Sequence, residues 1–253
     1  MNRIVINPLY SKLKDFIENI HENFDNSGVS IYKGRNEIKT FEIDDLKLNV
    51  KSFKVPHFIN KVAYAWLRGS KAKHSFQYAT KIRACGAETP EPVACVEVLK
   101  RGLFDRSYYV SIHHQYDFTI RDLIGFDFPD KENILRQFAI FTHEKMHQNG
   151  IHHLDYSRGN VLISKRENQQ YGFSVVDINR MRFENMNYLS GLKNFAQLWA
   201  SDDELEIIAR EYAKINNRDE NEATRLLVEF DKKHKAKIEK KLAWKRRIKG
   251  AQK

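Results

Sequence analysis

The sequence predicts an α+β protein of two lobes, β-rich over residues 1–114 and helical over 115–253. Three observations lead there. The 253 residues are 42% hydrophobic and include 16 Phe, 11 Tyr and 3 Trp, enough for one sizeable core or two small ones and too aromatic for disorder. Short β-branched and aromatic runs crowd between Val29 and His113. From Asp130 onward apolar residues recur with helical spacing instead.

Taken in order, Leu9, Leu13, Phe16, Ile17, Ile20 and Phe24 keep helical spacing as far as a stop at Asn26-Ser27-Gly28. Three strand-like runs follow, Val29 to Tyr32, Glu37 to Ile43 and Leu46 to Phe53. They are split by Lys33-Gly34-Arg35-Asn36 and by Asp44-Asp45, which predicts an antiparallel meander. A helix is expected from Lys71 to Cys85, closed by Gly86; Thr89-Pro90-Glu91-Pro92 then leads into strands over Val93 to Leu99 and Tyr108 to His113. Trp66, Phe76 and Tyr78 read as packing aromatics. Ile134, Leu135, Phe138, Phe141 and Met146 line one face of a helix that ends at Asn149-Gly150. Val161 to Ser164 and Phe173 to Ile178 read as strands paired about a polar turn, and from Met186 the chain is expected to be helical.

The net charge of +10 is segregated. Residues 232–253 hold eleven Lys and Arg against Glu239 alone, while the other 231 residues carry 32 basic and 32 acidic groups. The body is electroneutral, and with no recognition motif or stacking platform in the tail, nucleic acid is a minor alternative partner. Ile238, Leu242 and Trp244 punctuate the tail, so it fits either an anionic membrane surface or packing on the body. No run approaches the roughly 18 apolar residues of a spanning helix, and no apolar stretch follows Met1-Asn2-Arg3-Ile4. Cys85 and Cys95 form no CxxC pair, which excludes a disulfide framework and a cysteine zinc site. A cytoplasmic protein is expected, with peripheral attachment at the inner face of the inner membrane following only from the first of these two readings of the tail.

The chemistry concentrates after the long helix. His153-Leu154-Asp155 with Asn160 forms H-x-D-x-x-x-x-N, and Val175-Val176-Asp177 ends the next strand-like run. Phosphoryl transfer needs a carboxylate beside the acceptor hydroxyl and hard oxygen ligands for the Mg2+ that bridges nucleotide phosphates. Asp155, Asn160 and Asp177 supply these groups, and a hairpin that folds 161 beside 177 draws them together. In the first lobe, Leu46, Leu48 and Val50 face one way along their strand, leaving Lys51 on the other face to reach α/β-phosphates, with Lys54 as runner-up. The turn holding Gly34 and Arg35 sits where a phosphate-covering loop would lie.

These residues resemble the lipopolysaccharide core kinases, the Kdo and heptose kinase family, which share the protein-kinase-like fold. The resemblance spans most of the chain. It rests on Val50-Lys51-Ser52-Phe53, on Gly86-Ala87-Glu88-Thr89-Pro90-Glu91-Pro92, on His153-Leu154-Asp155 with Asn160, and on Val176-Asp177-Ile178-Asn179-Arg180, which is similar to that family's Asp-Phe-Asp-Arg. It implies ATP as donor, a sugar hydroxyl of a lipid-linked inner-core saccharide as acceptor, and an active site in the cleft between the lobes. It also implies Asp155 as catalytic base beside the loop histidine His153, Asn160 and Asp177 as metal ligands, and Lys51 as the phosphate-binding lysine. The chain departs from the pattern at three points. The helix glutamate expected to pair with Lys51 falls at Ser75, with Gln77 as the nearest amide. The lysine that protein-serine kinases carry two residues after the base is Ser157. The DFG phenylalanine and glycine are Ile178 and Asn179. A pseudokinase, or a kinase of the same fold with a small-molecule or protein substrate, stays open.

A rival motif overlaps this one. His143-Glu144-Lys145-Met146-His147 with Gly150 and His153 matches H-E-x-x-H-x-x-G-x-x-H, the metzincin signature. Two imidazoles would share a helix face, a third would follow a glycine turn, and Glu144 would deprotonate zinc-bound water. On a helical wheel, however, His143 and His147 fall opposite the apolar stripe, so they are expected at the surface.

Overall fold

The structure is a computed structural model that describes residues 2–53 and 69–250, with side chains to Ile248. Lys54 and Trp66, singled out above, lie outside the described residues. The chain divides into two compact units. One comprises Met1–Gln115 with Val176–Arg180, the other Tyr116–Val175 with Met181–Lys253.

In the first unit β1 (Arg3–Ile6) leads into a 3-10 helix (Pro8–Leu13), α1 (Lys14–Glu18) and α2 (Ile20–Asn26). The single helix expected here is thus broken into three. Tyr10 leaves the helical region at φ −116°, ψ 25°, and Asn19 turns its amide back onto the Asp15 carbonyl at 2.9 Å, so local side-chain bonding competes with helix continuation. The meander is β2 (Val29–Lys33), β3 (Glu37–Ile43) and β4 (Leu46–Phe53), followed by α3 (Lys71–Ala84), β5 (Pro92–Lys100) and β6 (Leu103–Ile112). The six strands form one sheet in the order β1-β5-β6-β4-β3-β2. Alternation sorts its faces. Leu48 and Val50 of β4, Ala94, Val96 and Val98 of β5, and Tyr108 and Val110 of β6 turn to the leading helices and bury Leu13, Ile17, Ile20 and Phe24. Lys51, Tyr109 and Cys95 are register partners in one cross-strand row on the opposite face.

The second unit is built on β7 (Phe118–Thr119), α4 (Ile120–Leu123), α5 (Lys131–Phe141), β8 (Ile151–His153), β9 (Val161–Lys165), β10 (Tyr171–Val175), β11 (Met181–Phe183), α6 (Tyr188–Asn194), α7 (Asp202–Ile215) and α8 (Glu220–Gly250). A three-stranded sheet runs β10-β9-β7, and β8 pairs with β11. Phe138 of α5 lies at the centre of the core, with ring centroids 5.6 Å from Tyr156 and 5.7 Å from both Phe173 and Phe195. The apolar stripe read from the sequence is the buried face of α5, with Phe141 half-buried and stacked on Phe173.

After Phe141 the helix is not α. Thr142–Met146 form a π turn and His147–Asn149 a 3-10 turn before Gly150 closes the segment at φ 66°. Gly150 is obligatory there, because a Cβ would lie 2.8 Å from the Glu184 carbonyl. The π turn inserts a residue, which moves everything after it by about 100° around the helix. His147 is therefore turned inward, 5% exposed, and His143, inside the turn, is 7% exposed beside Asn216, so the surface placement expected for both from an unbroken α-helix is wrong.

Candidate active site

In the second unit β8 delivers His153, fully buried, to the start of the loop. The Asp155 backbone N–H donates to His153 Nδ1 at 3.1 Å, which fixes that nitrogen as the acceptor. The Asp155 carbonyl accepts from Asn160 Nδ2 at 2.8 Å and from the Ser157 N–H at 2.7 Å. Asp155 is thus gripped by its backbone on both sides while its half-buried side chain carries the carboxylate. With the Asn160 nitrogen engaged on that carbonyl, its amide oxygen is the atom suited to a cation. Next in sequence, Tyr156 is fully buried and bonds Thr142 Oγ1 at 2.9 Å; Thr142 in turn donates to the Phe138 carbonyl at 2.8 Å. Burial raises the Tyr156 phenol far above its usual range, so it stays a neutral donor.

A second buried chain of hydrogen bonds reaches the same loop. Asn194 Nδ2 donates to the His153 carbonyl at 3.0 Å, and this carbonyl, which can only accept, orients the rest. His147 Nε2–H then donates to Asn194 Oδ1 at 3.2 Å, and the Tyr212 hydroxyl donates to His147 Nδ1 at 3.0 Å. Burial pushes the His147 imidazole down to about 4, so it is neutral near pH 7. His143 Nδ1 accepts from Asn216 Nδ2 at 3.2 Å, while Glu144 is exposed. These contacts remove the zinc alternative. Both nitrogens of His147 are spent on protein partners, and no group of three His, Cys, Asp or Glu among the described residues is placed to hold a metal. Tyr212 and Asn194 were not anticipated, since nothing local in the sequence links residue 147 to residues 47 and 65 positions away.

In the first unit Lys51 and Asp177, 126 residues apart, meet at 2.6 Å. Asp177 Oδ1 also accepts from Asn179 Nδ2 at 2.6 Å. The strand predicted over Phe173 to Ile178 ends at Val175 instead, because Asp177 sits in the left-handed region at φ 56°, which no strand accommodates. Lys51 lies on the face opposite Val50, its Nζ 5.3 Å over the Phe53 ring. Ser75, at the place of the helix glutamate, is buried and bonds the Lys71 carbonyl at 2.8 Å, and Gln77 is exposed. Asp177 is therefore the carboxylate that pairs with Lys51.

Further cations attend this pair. Lys71, the first residue of α3, has its ammonium pKa lowered by burial first, then by the positive charges of Arg35 and Arg180, with Lys51 adding and Asp177 opposing. The Gly34-Arg35 turn thus contributes the Arg35 charge to the Lys51–Asp177 environment. Lys71 and Arg180 are additions that sequence reading missed; Lys71 carried no signal, whereas Arg180 closed the Val176–Arg180 run already singled out. Lys71 thus feels three other cations, Arg35, Arg180 and Lys51, against the one carboxylate of Asp177, a positive environment suited to a polyanion.

No protein-family profile matches the chain, and a search of curated proteins finds no match. Solved structures do align. One is WaaP in complex with acyl carrier protein, at 17% identity and TM-score 0.62, covering 92% of this chain and 98% of that one. Another is a thermostable mutant of the aminoglycoside phosphotransferase APH(4)-Ia in its apo form, at 11% identity and TM-score 0.50, covering 90% of this chain and 94% of that one. With its β-rich first part and helical second part, the chain has the protein-kinase-like fold.

Proposed function

We propose that the chain is an ATP-dependent phosphotransferase whose acceptor is a sugar hydroxyl of the lipopolysaccharide inner core, Kdo or heptose. The observation that carries the reading is the Lys51–Asp177 pair at 2.6 Å, set among Arg35, Lys71 and Arg180. A strand lysine joined to a carboxylate from a distant segment, in an excess of positive charge, is what a nucleotide polyphosphate and its cation require. The fold shared with WaaP is compatible with this reaction, and the acceptor class is what the motif resemblance implies.

The residues fit the cofactors by donor chemistry. Asp177 and Asn160 each offer a hard oxygen to Mg2+, while Lys51, with Arg35 and the Gly34 turn, offers charge and backbone to the ATP phosphates. Mg2+, when bound, neutralises charge on the transferring phosphoryl group. Asp155 takes the proton of the acceptor hydroxyl as that oxygen bonds to phosphorus, and the bond to the ADP leaving group breaks. His153 positions Asp155 through its Nδ1, and its own carbonyl is held by Asn194.

Purified chain should turn over ATP in the presence of lipopolysaccharide core acceptor and Mg2+, and not when Mg2+ is chelated. Asp155→Ala should lower that turnover at least about 100-fold, the usual cost of a lost acid–base group, with an unchanged melting transition. Normal turnover by Asp155→Ala would defeat the assignment.

A further inference from the structure

Helix α8 changes character along its length. Its first part belongs to the core, with Ala223, Leu227 and Asp231 buried. Lys235 pairs with Asp231 at 2.6 Å and donates to the Ala200 carbonyl at 3.0 Å, and Lys232 reaches Asp202 at 3.3 Å. These two lysines of the basic tail are therefore fasteners to the body. From Glu239 to Ile248 every side chain is exposed. This stretch holds Lys240, Lys241, Lys245, Arg246 and Arg247 against Glu239 alone, and with them Leu242, Trp244 and Ile248 at 47%, 64% and 40% exposure.

We propose that Glu239–Ile248 is an attachment surface for an anionic lipid bilayer. The inference does not depend on the phosphotransfer reading. Charge alone would suit any polyanion, but the apolar side chains select among them. Trp244 and Ile248, one turn apart, share a row on the helix, flanked by Lys240, Lys241, Lys245 and Arg247, whereas Leu242 lies about 160° round the helix from Trp244. An indole and an aliphatic chain on one side of the helix, between lysines and an arginine, suit the headgroup boundary, where the indole lies between water and acyl chains and the lysine and arginine stems reach up to lipid phosphates. A nucleic acid gives Ile248 nothing to be buried against. No described helix is long and apolar enough to cross a membrane, so attachment is by lying in the interface.

The test uses the full chain with vesicles of phosphatidylcholine alone or mixed with phosphatidylglycerol. Cosedimentation should require phosphatidylglycerol and fall as salt rises. Replacing Lys240, Lys241, Lys245, Arg246 and Arg247 by Glu should weaken partitioning by at least roughly tenfold. Trp244→Ser should weaken it several-fold and abolish the blue shift of tryptophan emission that vesicles produce in the parent chain. All these positions are exposed, so circular dichroism and the melting transition should match the parent. Equal binding to neutral vesicles, undiminished binding by the variants, or retention by polyuridylate or an acidic protein without vesicle binding would each overturn the proposal.

Discussion

Around His153 and Asp155 the supporting contacts are neutral and buried, whereas around Lys51 and Asp177 they are charged and partly open to solvent. Tyr212, His147, Asn194 and the His153 carbonyl form a chain in which each polar group has one orientation, as do Tyr156, Thr142 and the Phe138 carbonyl. Such a chain is hard to rearrange, because any member that turns away leaves a buried group unsatisfied, at about 1–3 kcal/mol each. Lys51 and Asp177, with side chains 17% and 30% exposed, can exchange each other for water or a ligand at little cost. On the proposed function, fixed geometry is invested where a proton would be taken at a set distance, and exchangeable charge where a polyanion and its cation would come and go.

The sharpest way to break this contrast is Asp177→Asn. Asparagine tolerates the left-handed backbone at φ 56°, so the change removes charge and leaves geometry. If Asp177 acts by its charge, turnover should fall roughly 100-fold or more with the melting temperature nearly unchanged, as measured by steady-state kinetics beside calorimetry. A folded variant with near-normal turnover would show the pair to be merely structural.

A change in the neutral network should do the opposite and show first in stability. Asn194→Ala strands the His147 Nε2–H and the His153 carbonyl, and chemical denaturation should reveal a loss of about 2–4 kcal/mol. The same network predicts a pH dependence. His147 titrates at about 4 when folded and near 6.5 when unfolded, so between these values the unfolded chain takes up the proton. Stability should therefore fall as pH drops from about 6.5 towards 4, with this residue contributing about 3 kcal/mol in full. His147→Leu should flatten that part of the curve; an unchanged slope would assign it to other groups.

The smallest effect is expected at Lys71. If its ammonium serves the bound phosphates and not the fold, Lys71→Met should raise KM for ATP by roughly threefold to tenfold while leaving kcat and stability near the parent values. A fall in kcat with constant KM would place it in the chemical step instead.

Much of this was legible because its signals are local. The alternation that put Lys51 opposite Val50 and the spacing of His153, Asp155 and Asn160 are properties of short segments. The meander between Val29 and Phe53 was equally readable, since its turns announce themselves. What failed depended on partners far away in sequence. Strands β1, β8 and β11 are short and exist because β5 supplies an edge to the first and the other two supply edges to each other. The inward turn of His143 and His147 follows from packing on α6 and α7, which no helical wheel of residues 131–150 contains. The charges gathered around Asp177 come from a turn, a strand, a helix start and a segment more than a hundred residues later, so only the fold could assemble them.

The π turn at Thr142–Met146 makes this stretch sensitive to residue count more than to residue identity. Shortening it by one residue would restore the α-helical register and carry His147 about 100° back toward solvent. The link from Tyr212 to the His153 carbonyl would then open without His153 or Asp155 having been touched. Glu144 and Lys145, exposed on the outer side of the turn, could meanwhile vary freely. Over evolution, such a segment should accept many substitutions and reject a single-residue deletion, so that the length of the chain here is itself part of the support of the loop from His153 to Asn160.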